Sequence, residues 1–266
     1  MDSSSLFWPV GLVVSGAVIG FLVGMTGVGA GSLTTPLLIT VFGVPAPVAV
    51  GTDLLFAALT KSTAAWRYQK HKYIDWAVLA WLAAGSLPGA LLTLVWLRWA
   101  HPSTVMLTMV IRDGLAVILL ASAAANLAYP WLVQRDPRTG AVAEPSPRRK
   151  LVTTGLGVAL GMMVVLTSVG AGAIGVAALM VLYPNLSVRR LIGTDVVHAI
   201  PLAFAAGLGH LALGSIDLKV LGLLLIGSIP GIAGGLRVTN SVPEWTVRVL
   251  LAAVLVVAAV ALVAKS

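Results

Sequence analysis

The two halves of the sequence repeat each other at a nearly constant spacing. Gly51-Thr52-Asp53 recurs 142 residues later as Gly193-Thr194-Asp195. The stretch Thr26-Gly-Val-Gly-Ala-Gly31 recurs as Thr167-Ser-Val-Gly-Ala-Gly172, with a spacing of 141. The chain therefore contains an internal duplication of one unit. Duplicated apolar halves with glycine-interrupted segments are typical of secondary transporters, whose site lies where the copies meet.

The composition places this unit in a membrane. Hydrophobic residues make up 59% of the chain and charged residues 10%, with a mean hydropathy of +1.01. Soluble domains are far less apolar, so we predict an all-α polytopic membrane protein whose surface contacts the lipid bilayer. The formal charge of +8 comes from basic residues in short loops, a pattern that orients membrane helices, and nucleic acid is not an expected partner.

The sequence lacks the residues and motifs that are typical of redox enzymes and hydrolases. The chain has no cysteine, which removes disulfides, thiol nucleophiles and thiolate metal sites. It also has no HExxH or GxSxG pattern. We therefore expect no cofactor, no metal and no enzymatic activity.

The apolar segments divide into six simple spans and two split regions. Regions 9–42 and 151–183 are each too long for one helix, and a glycine stretch interrupts each. We predict in each a helix, a break inside the membrane and a returning helix of about 12 residues, only ~18 Å long and too short to cross. The simple spans are predicted over 46–66, 76–97, 104–128, 188–208, 218–236 and 245–264.

Five segments per copy would place the two copies in opposite orientations. This inverted arrangement collects twelve basic loop residues on one side and three on the other, whereas four spans per copy divide them ten against five. The cytoplasmic excess of Lys and Arg favours inversion, with both termini outside the cytoplasm. We predict a first repeat over 1–132, a basic cytoplasmic linker over 133–150 and a second repeat over 151–266.

The two glycine stretches are the predicted substrate site. Broken helices leave amides unpaired in the membrane, and the amides of a returning helix point their positive dipole end into the break, where they can bind an anion. The alternative is that glycines only permit close helix packing, as Gly16, Gly20, Gly24, Gly157 and Gly161 are expected to do. The predicted substrate ligands are Thr26, Gly27, Gly29, Gly31, Ser32, Thr52, Thr167, Ser168, Gly170, Gly172 and Thr194.

Two carboxylates lie about eight residues into predicted helices. Asp53 and Asp195 are either proton carriers or structural clamps that accept hydrogen bonds from the neighbouring glycine stretch, and the sequence leaves both open. His198, one turn after Asp195, could relay a proton or satisfy that carboxylate. Its counterpart in the first copy is Phe56.

The remaining ionisable residues are expected to be peripheral or structural. We expect Lys61 to extend outward to the cytoplasmic interface. Arg112 either attracts an anion or forms a structural ion pair with Asp113. His210 is predicted to lie in a loop without a ligand role, as are His71 and His101.

Several of these motifs carry a family resemblance. The split first helix with its Thr-Gly-Val-Gly-Ala-Gly stretch, Pro36-Leu-Leu, Gly43-Val-Pro45 leading to Ala49-Val-Gly-Thr52, and the Gly-Ser-x-Pro-Gly element resemble the TauE/SafE family of sulfite exporters and related anion permeases, from about 10 to 264. The resemblance implies movement of sulfite, sulfonates or similar small organosulfur anions across the bacterial inner membrane.

Two functional alternatives remain at this point. One is a carrier that works by alternating access and is open to proton coupling through Asp53 or Asp195. The other is an anion channel with the duplicated glycine stretches as its filter. The residues leave a monomer and a homodimer equally open.

Overall fold

Ten α-helices account for almost all of the chain that a computed structural model describes, namely residues 7–26, 31–70, 73–100, 102–133, 146–170, 172–238 and 244–264. No strand occurs within those ranges. In chain order the helices are α1 (Phe7–Thr26), α2 (Gly31–Thr40), α3 (Ala46–Lys70), α4 (Trp76–Ala100), α5 (Thr104–Val133), α6 (Pro147–Thr167), α7 (Ala173–Leu182), α8 (Val188–Ala212), α9 (Leu218–Val238) and α10 (Glu244–Ala264).

Each split region contains one long and one short helix. The first holds α1 with 20 residues and α2 with 10, and the second holds α6 with 21 and α7 with 10. A 10-residue helix is about 15 Å long and cannot cross the hydrocarbon core by itself. The predicted linker over 133–150 falls mostly outside the described residues, but its last four residues form the first turn of α6.

In the described part of the chain, seven helices are long and apolar enough to cross a membrane. They are α1, α4, α5, α6, α8, α9 and α10, so the chain is a multi-pass membrane protein. The predicted span at 46–66 is the exception. It lies within α3, a helix of 25 residues that contains the buried charged residues Asp53 and Lys61, and these lower its hydropathy.

The helices of the two halves pack against one another in matched pairs. Helix α1 lies along α9, and correspondingly α6 lies along α4. Helix α3 packs on α8 and α5 on α10, while α2 contacts α3 and α10 just as α7 contacts α8 and α5. Exchanging α1–α5 with α6–α10 reproduces this set of contacts. Each half therefore completes its packing with helices of the other.

Glycines bring α1 and α9 into backbone contact. A methyl group added at Gly20 would overlap the carbonyl oxygen of Ser228, and one added at Gly227 would overlap that of Val13. The structure confirms the packing role expected of Gly16, Gly20 and Gly24, because Leu224, Ser228 and Ile232 meet all three in the same way. Small residues at such crossings allow close helix packing in membranes.

The crossing of α4 and α6 has the same construction. Gly157 faces the carbonyl oxygen of Leu82, Gly161 faces that of Ser86, and Gly85 faces that of Thr154. The packing role expected of Gly157 and Gly161 is confirmed. The repeated Gly-Ser-x-Pro-Gly elements thus supply the opposing surfaces for the first helix of the other half.

Candidate functional site

The threonines of the two Gly-Thr-Asp triplets connect the halves. Thr52 Oγ1 accepts a hydrogen bond from the backbone amide of Asp217 at 3.0 Å, and Thr194 Oγ1 accepts one from the amide of Asp75 at 2.8 Å. Asp75 and Asp217 lie directly before α4 and α9, where their side chains accept amide bonds from the first turn. Both threonine hydroxyls therefore have a structural partner, and their role as substrate ligands stays a prediction.

Asp53 lies in the interior against the short helix of its own half. Its carboxylate accepts a hydrogen bond from Thr35 Oγ1 at 2.6 Å. Asp53 and Thr35 are both 0% exposed. The other oxygen, Oδ1, has no hydrogen-bond partner among the described residues. Thr34 and Ser168 lie close enough to the carboxylate to interact with it, so the second half also reaches Asp53 through Ser168.

Asp195 lies against the first turn of α7. A methyl group added at Gly175 would overlap its Oδ1 atom, and the backbone amide of Gly172 is close enough to interact with the carboxylate. Asp195 is 1% exposed, and neither oxygen has a well-formed hydrogen bond within the described part of the chain. The positive end of this short helix therefore faces a carboxylate of the protein itself.

Lys61 is buried, and the expectation that it extends outward was wrong. Only 6% of the residue is exposed, and its charge interacts with both Asp53 and Asp195. The physical reason is that two carboxylates in a nonpolar interior stabilise a nearby cation, which offsets the desolvation of the ammonium group. Two buried aspartates in the sequence were the signal that a buried cation would accompany them.

His198, on α8, lies near the buried charged residues Asp53, Lys61 and Asp195. Its Nε2 atom lies 2.7 Å from Ser86 Oγ on α4, and its Nδ1 atom has no partner in the described residues. His198 also lies within electrostatic reach of Lys61. His210 was predicted in a loop, but it lies in the last turn of α8, where its Nε2 contacts the Val165 carbonyl at 2.9 Å. The helix continues four residues beyond the predicted end at 208, to Ala212.

The break between α6 and α7 adopts a left-handed turn. Ser168 has a φ of 60°, and its amide donates to the Val164 carbonyl at 2.8 Å, which caps α6. Gly170 and Gly172 follow with φ values of 137° and 134°, a region that favours glycine. Thr167 Oγ1 donates to the Met163 carbonyl at 2.7 Å, so its hydroxyl proton is already used inside the protein. The buried Ser168 hydroxyl lies near the Asp53 carboxylate but forms no well-aligned hydrogen bond within the described residues.

Less is described of the break in the first half. Gly27 and Gly29 lie outside the described residues. Thr26 ends α1 and Gly31 begins α2, and Ser32 lies half-buried in the first turn of α2. Their role as substrate ligands stays a prediction.

Buried ionisable side chains among apolar membrane helices, where an internally repeated chain meets itself, define a class of protein: this is a membrane transporter. More specifically, the chain belongs to the TauE/SafE family. The family model described as "Sulfite exporter TauE/SafE" matches residues 12–262. The resemblance seen in the sequence motifs is thereby confirmed.

Two relatives from Bacillus subtilis (strain 168) are similar along most of their length. The chain is 31% identical over 254 residues to a protein named "Probable membrane transporter protein YjnA", which covers 96% of this chain and 99% of the relative. It is 26% identical over 236 residues to "Probable membrane transporter protein YdhB", with coverages of 87% and 90%. No solved structure matches the chain.

Proposed function

We propose that this protein carries small anions, with sulfite, sulfonates and related organosulfur anions as the substrate class, across the bacterial inner membrane by alternating access with proton coupling. The observation that carries the proposal is the cluster of Asp53, Lys61 and Asp195, all buried where α3 of one half packs on α8 of the other. Membership of a family described as sulfite exporters supports the substrate class.

The proposed architecture is a pair of inverted repeats, over 1–132 and 151–266, joined by a cytoplasmic linker over 133–150. Two points support it: the main helix contacts are preserved when the halves are exchanged, and an inverted arrangement collects twelve basic loop residues on one side against three on the other. In such carriers the substrate site lies between the repeats and opens to each side in turn. The cluster occupies that position here.

The glycine breaks would contribute to the same site. The first turns of α2 and α7 are next to Asp53 and Asp195, so their amides and the Ser168 hydroxyl are within reach of a ligand in the cluster. Because a carboxylate lies at each of these turns, an incoming anion competes with the protein's own negative charges. Protonation of the carboxylates removes that competition, which links anion binding to proton binding.

Coupling decides which direction of transport is possible. Moving one charge across 100 mV is equivalent to about 2.3 kcal/mol, so a negative cell interior favours the exit of an anion. Uptake requires a proton or another cation to move with it. Both directions fit a proton-coupled carrier, and the imposed gradients select between them.

Flux into proteoliposomes tests the proposal. Purified protein is reconstituted, and uptake of labelled sulfite and methanesulfonate is followed with and without an imposed pH gradient. We expect saturable flux that the gradient accelerates, and counterflow of label against unlabelled substrate. The Asp53→Asn/Asp195→Asn double variant should lose the response to the gradient. Rapid, non-saturating flux without counterflow would favour the channel, and no flux of either anion would contradict the substrate class.

A homodimer stays a prediction. One chain contains both halves of the proposed site, so a single subunit is sufficient for one transport pathway. Native mass spectrometry of the solubilised protein counts the subunits.

A further inference from the structure

We propose that Lys61 is the residue that holds the negative charge of the substrate, and that each monovalent anion enters together with one proton taken up by the Asp53–Asp195 pair. This inference rests on the proposed function and names the ligand and the proton count at the same site. It gives the buried lysine a role that the sequence did not suggest.

The first support is the number of buried polar atoms that lack a partner. In the described residues, Asp53 Oδ1, both carboxylate oxygens of Asp195, Ser168 Oγ and His198 Nδ1 have no well-formed hydrogen bond, although Ser168 lies near the Asp53 carboxylate and the Gly172 amide near that of Asp195. Buried polar groups in native proteins are nearly always hydrogen-bonded, so several unpaired atoms in one region indicate a ligand or water between them. These atoms belong to residues that interact with one another or with Lys61.

The second support is that the Lys61 ammonium is not already occupied. Within the described residues the structure records no hydrogen bond or ion pair of its Nζ atom, while its charge interacts with both Asp195 and Asp53. An ammonium group has three donors and forms strong hydrogen bonds to oxyanions. His198 is less available because its Nε2 is bonded to Ser86.

Charge balance then sets the number of protons. One lysine and two ionised aspartates carry a net charge of −1, and burial in a nonpolar interior favours neutrality, so the empty site holds one proton on the pair. When a monovalent anion binds, the net charge of the site returns to −1. A second proton on the aspartate pair brings the net charge back to zero, and Lys61 then lies opposite the anion while both carboxyl groups are neutral. No bond other than O–H is made or broken.

The neighbouring helices do not add a charge to this balance. Helix α2 has no titratable side chain. Within the described residues, His198 is the one group outside Asp53, Lys61 and Asp195 that interacts electrostatically with them, through Lys61, and a neutral imidazole adds no charge to the balance. The other charged or titratable groups with described side chains on helices that contact α3 or α8 are Arg98, Arg112, Asp113, Arg148, Arg149, Lys150, Arg189, Arg190, His210, Lys219 and Arg237.

Proton uptake on ligand binding is the measurement. Methanesulfonate is the probe because it stays a monovalent anion across the usable pH range, whereas sulfite itself takes up a proton. Binding to the full-length protein in nanodiscs is followed by calorimetry in buffers with different ionisation enthalpies, which counts protons per anion. We expect one proton for the wild type. Either single variant, Asp53→Asn or Asp195→Asn, still has one carboxylate to accept it and should also take up one.

The aspartate double variant is expected to change the number of protons taken up, and the lysine variants are expected to change the affinity for the anion. Asp53→Asn/Asp195→Asn leaves Lys61 as an unopposed cation, so it should bind the anion with no proton uptake. Lys61→Met should weaken binding about tenfold or more, because a buried counter-charge is lost. Lys61→Arg should restore much of the affinity. Lys219→Met, the same change at an exposed lysine, should alter neither quantity.

The results distinguish a failure of the proposed function from a failure of the inference about Lys61 and the proton count. Wild-type protein that neither binds nor transports methanesulfonate or sulfite contradicts the proposed function. Normal flux with zero protons per anion overturns this inference together with the proton coupling, and leaves anion transport itself standing. Unchanged affinity in a correctly folded Lys61→Met overturns only this inference. A melting temperature measured for every variant identifies those that do not fold. If Lys61→Met does not fold, a folded Lys61→Arg that retains much of the affinity and takes up one proton per anion supports the inference, and one that takes up none overturns it.

Discussion

The Thr35 hydroxyl donates a hydrogen bond to the Asp53 carboxylate at 2.6 Å, and this bond connects the short helix α2 to the buried carboxylate of α3. The relation explains why a helix of 10 residues has a fixed position although it is too short to cross the membrane alone. It also makes Asp53 sensitive to any movement of α2.

Removing this hydroxyl should destabilise the protein. Thr35→Val keeps the shape of the side chain but leaves a second buried Asp53 oxygen without a partner, which costs about 1–3 kcal/mol. The expected result is a lower melting temperature in detergent. Thr63→Val is the control, because Thr63 is exposed and its hydrogen bond within the described residues is to the nearby Thr60 carbonyl. Equal effects of the two substitutions would argue against a special role for the Thr35 bond.

The threonines that connect the halves allow their structural and substrate roles to be separated. Thr194→Val removes the acceptor of the Asp75 amide and should lower stability by about 1 kcal/mol, as should Thr52→Val for Asp217. If the role is structural, KM for methanesulfonate flux will remain unchanged, and Thr→Ser will restore stability. A KM raised severalfold in a variant of normal stability would instead support the predicted role as a substrate ligand.

Two glycines of α6 form a matched pair for the close helix crossing. An alanine at Gly157 would overlap the Leu82 carbonyl, whereas an alanine at Gly155 meets nothing within 4 Å. Gly157→Ala should therefore separate α6 from α4 and lower the unfolding free energy by about 1–3 kcal/mol. Gly155→Ala should be neutral or slightly stabilising, because alanine favours the helix. Thermal melting of both variants tests the difference.

Gly175 links the second short helix to the carboxylate of the site. Gly175→Ala would push against Asp195, so we expect methanesulfonate flux to fall by up to about a hundredfold, the loss that a displacement of about 1 Å can cause at a site that depends on precise geometry. Gly222→Ala on α9 has open space and should transport normally. Wild-type flux in Gly175→Ala would show that the position of Asp195 is not critical for transport.

The inverted orientation can be tested with cysteines, since the chain has none of its own. Tyr73 and Ser215 occupy equivalent places before α4 and α9, and each is half-buried in a connecting segment. In inverted repeats, Tyr73→Cys should react with a membrane-permeant maleimide only, and Ser215→Cys should also react with an impermeant maleimide added outside intact cells. Labelling of both from the same side would contradict inversion.

The short helices were predictable because length alone excludes a second crossing in each split region. The glycine crossings were predictable from their four-residue spacing. The partners of Thr52 and Thr194 were not, since each bond joins residues more than a hundred positions apart in the chain. Lys61 shows the same difficulty. Helix α3 by itself allows the lysine to reach the interface, and its burial is explained once Asp195 on the facing helix α8 joins Asp53 as a second nearby carboxylate.

The pairing of α1 with α9 and of α4 with α6 has a consequence for how such a chain could have arisen. A polypeptide that contained only the first five helices would leave the glycine surfaces of α1 and α4 without their partners. It would have needed to associate with a second molecule of itself before it could enclose anything. The segment that now joins the two halves would then have converted an assembly of two chains into a single gene product, after which Phe56 and His198 were free to become different.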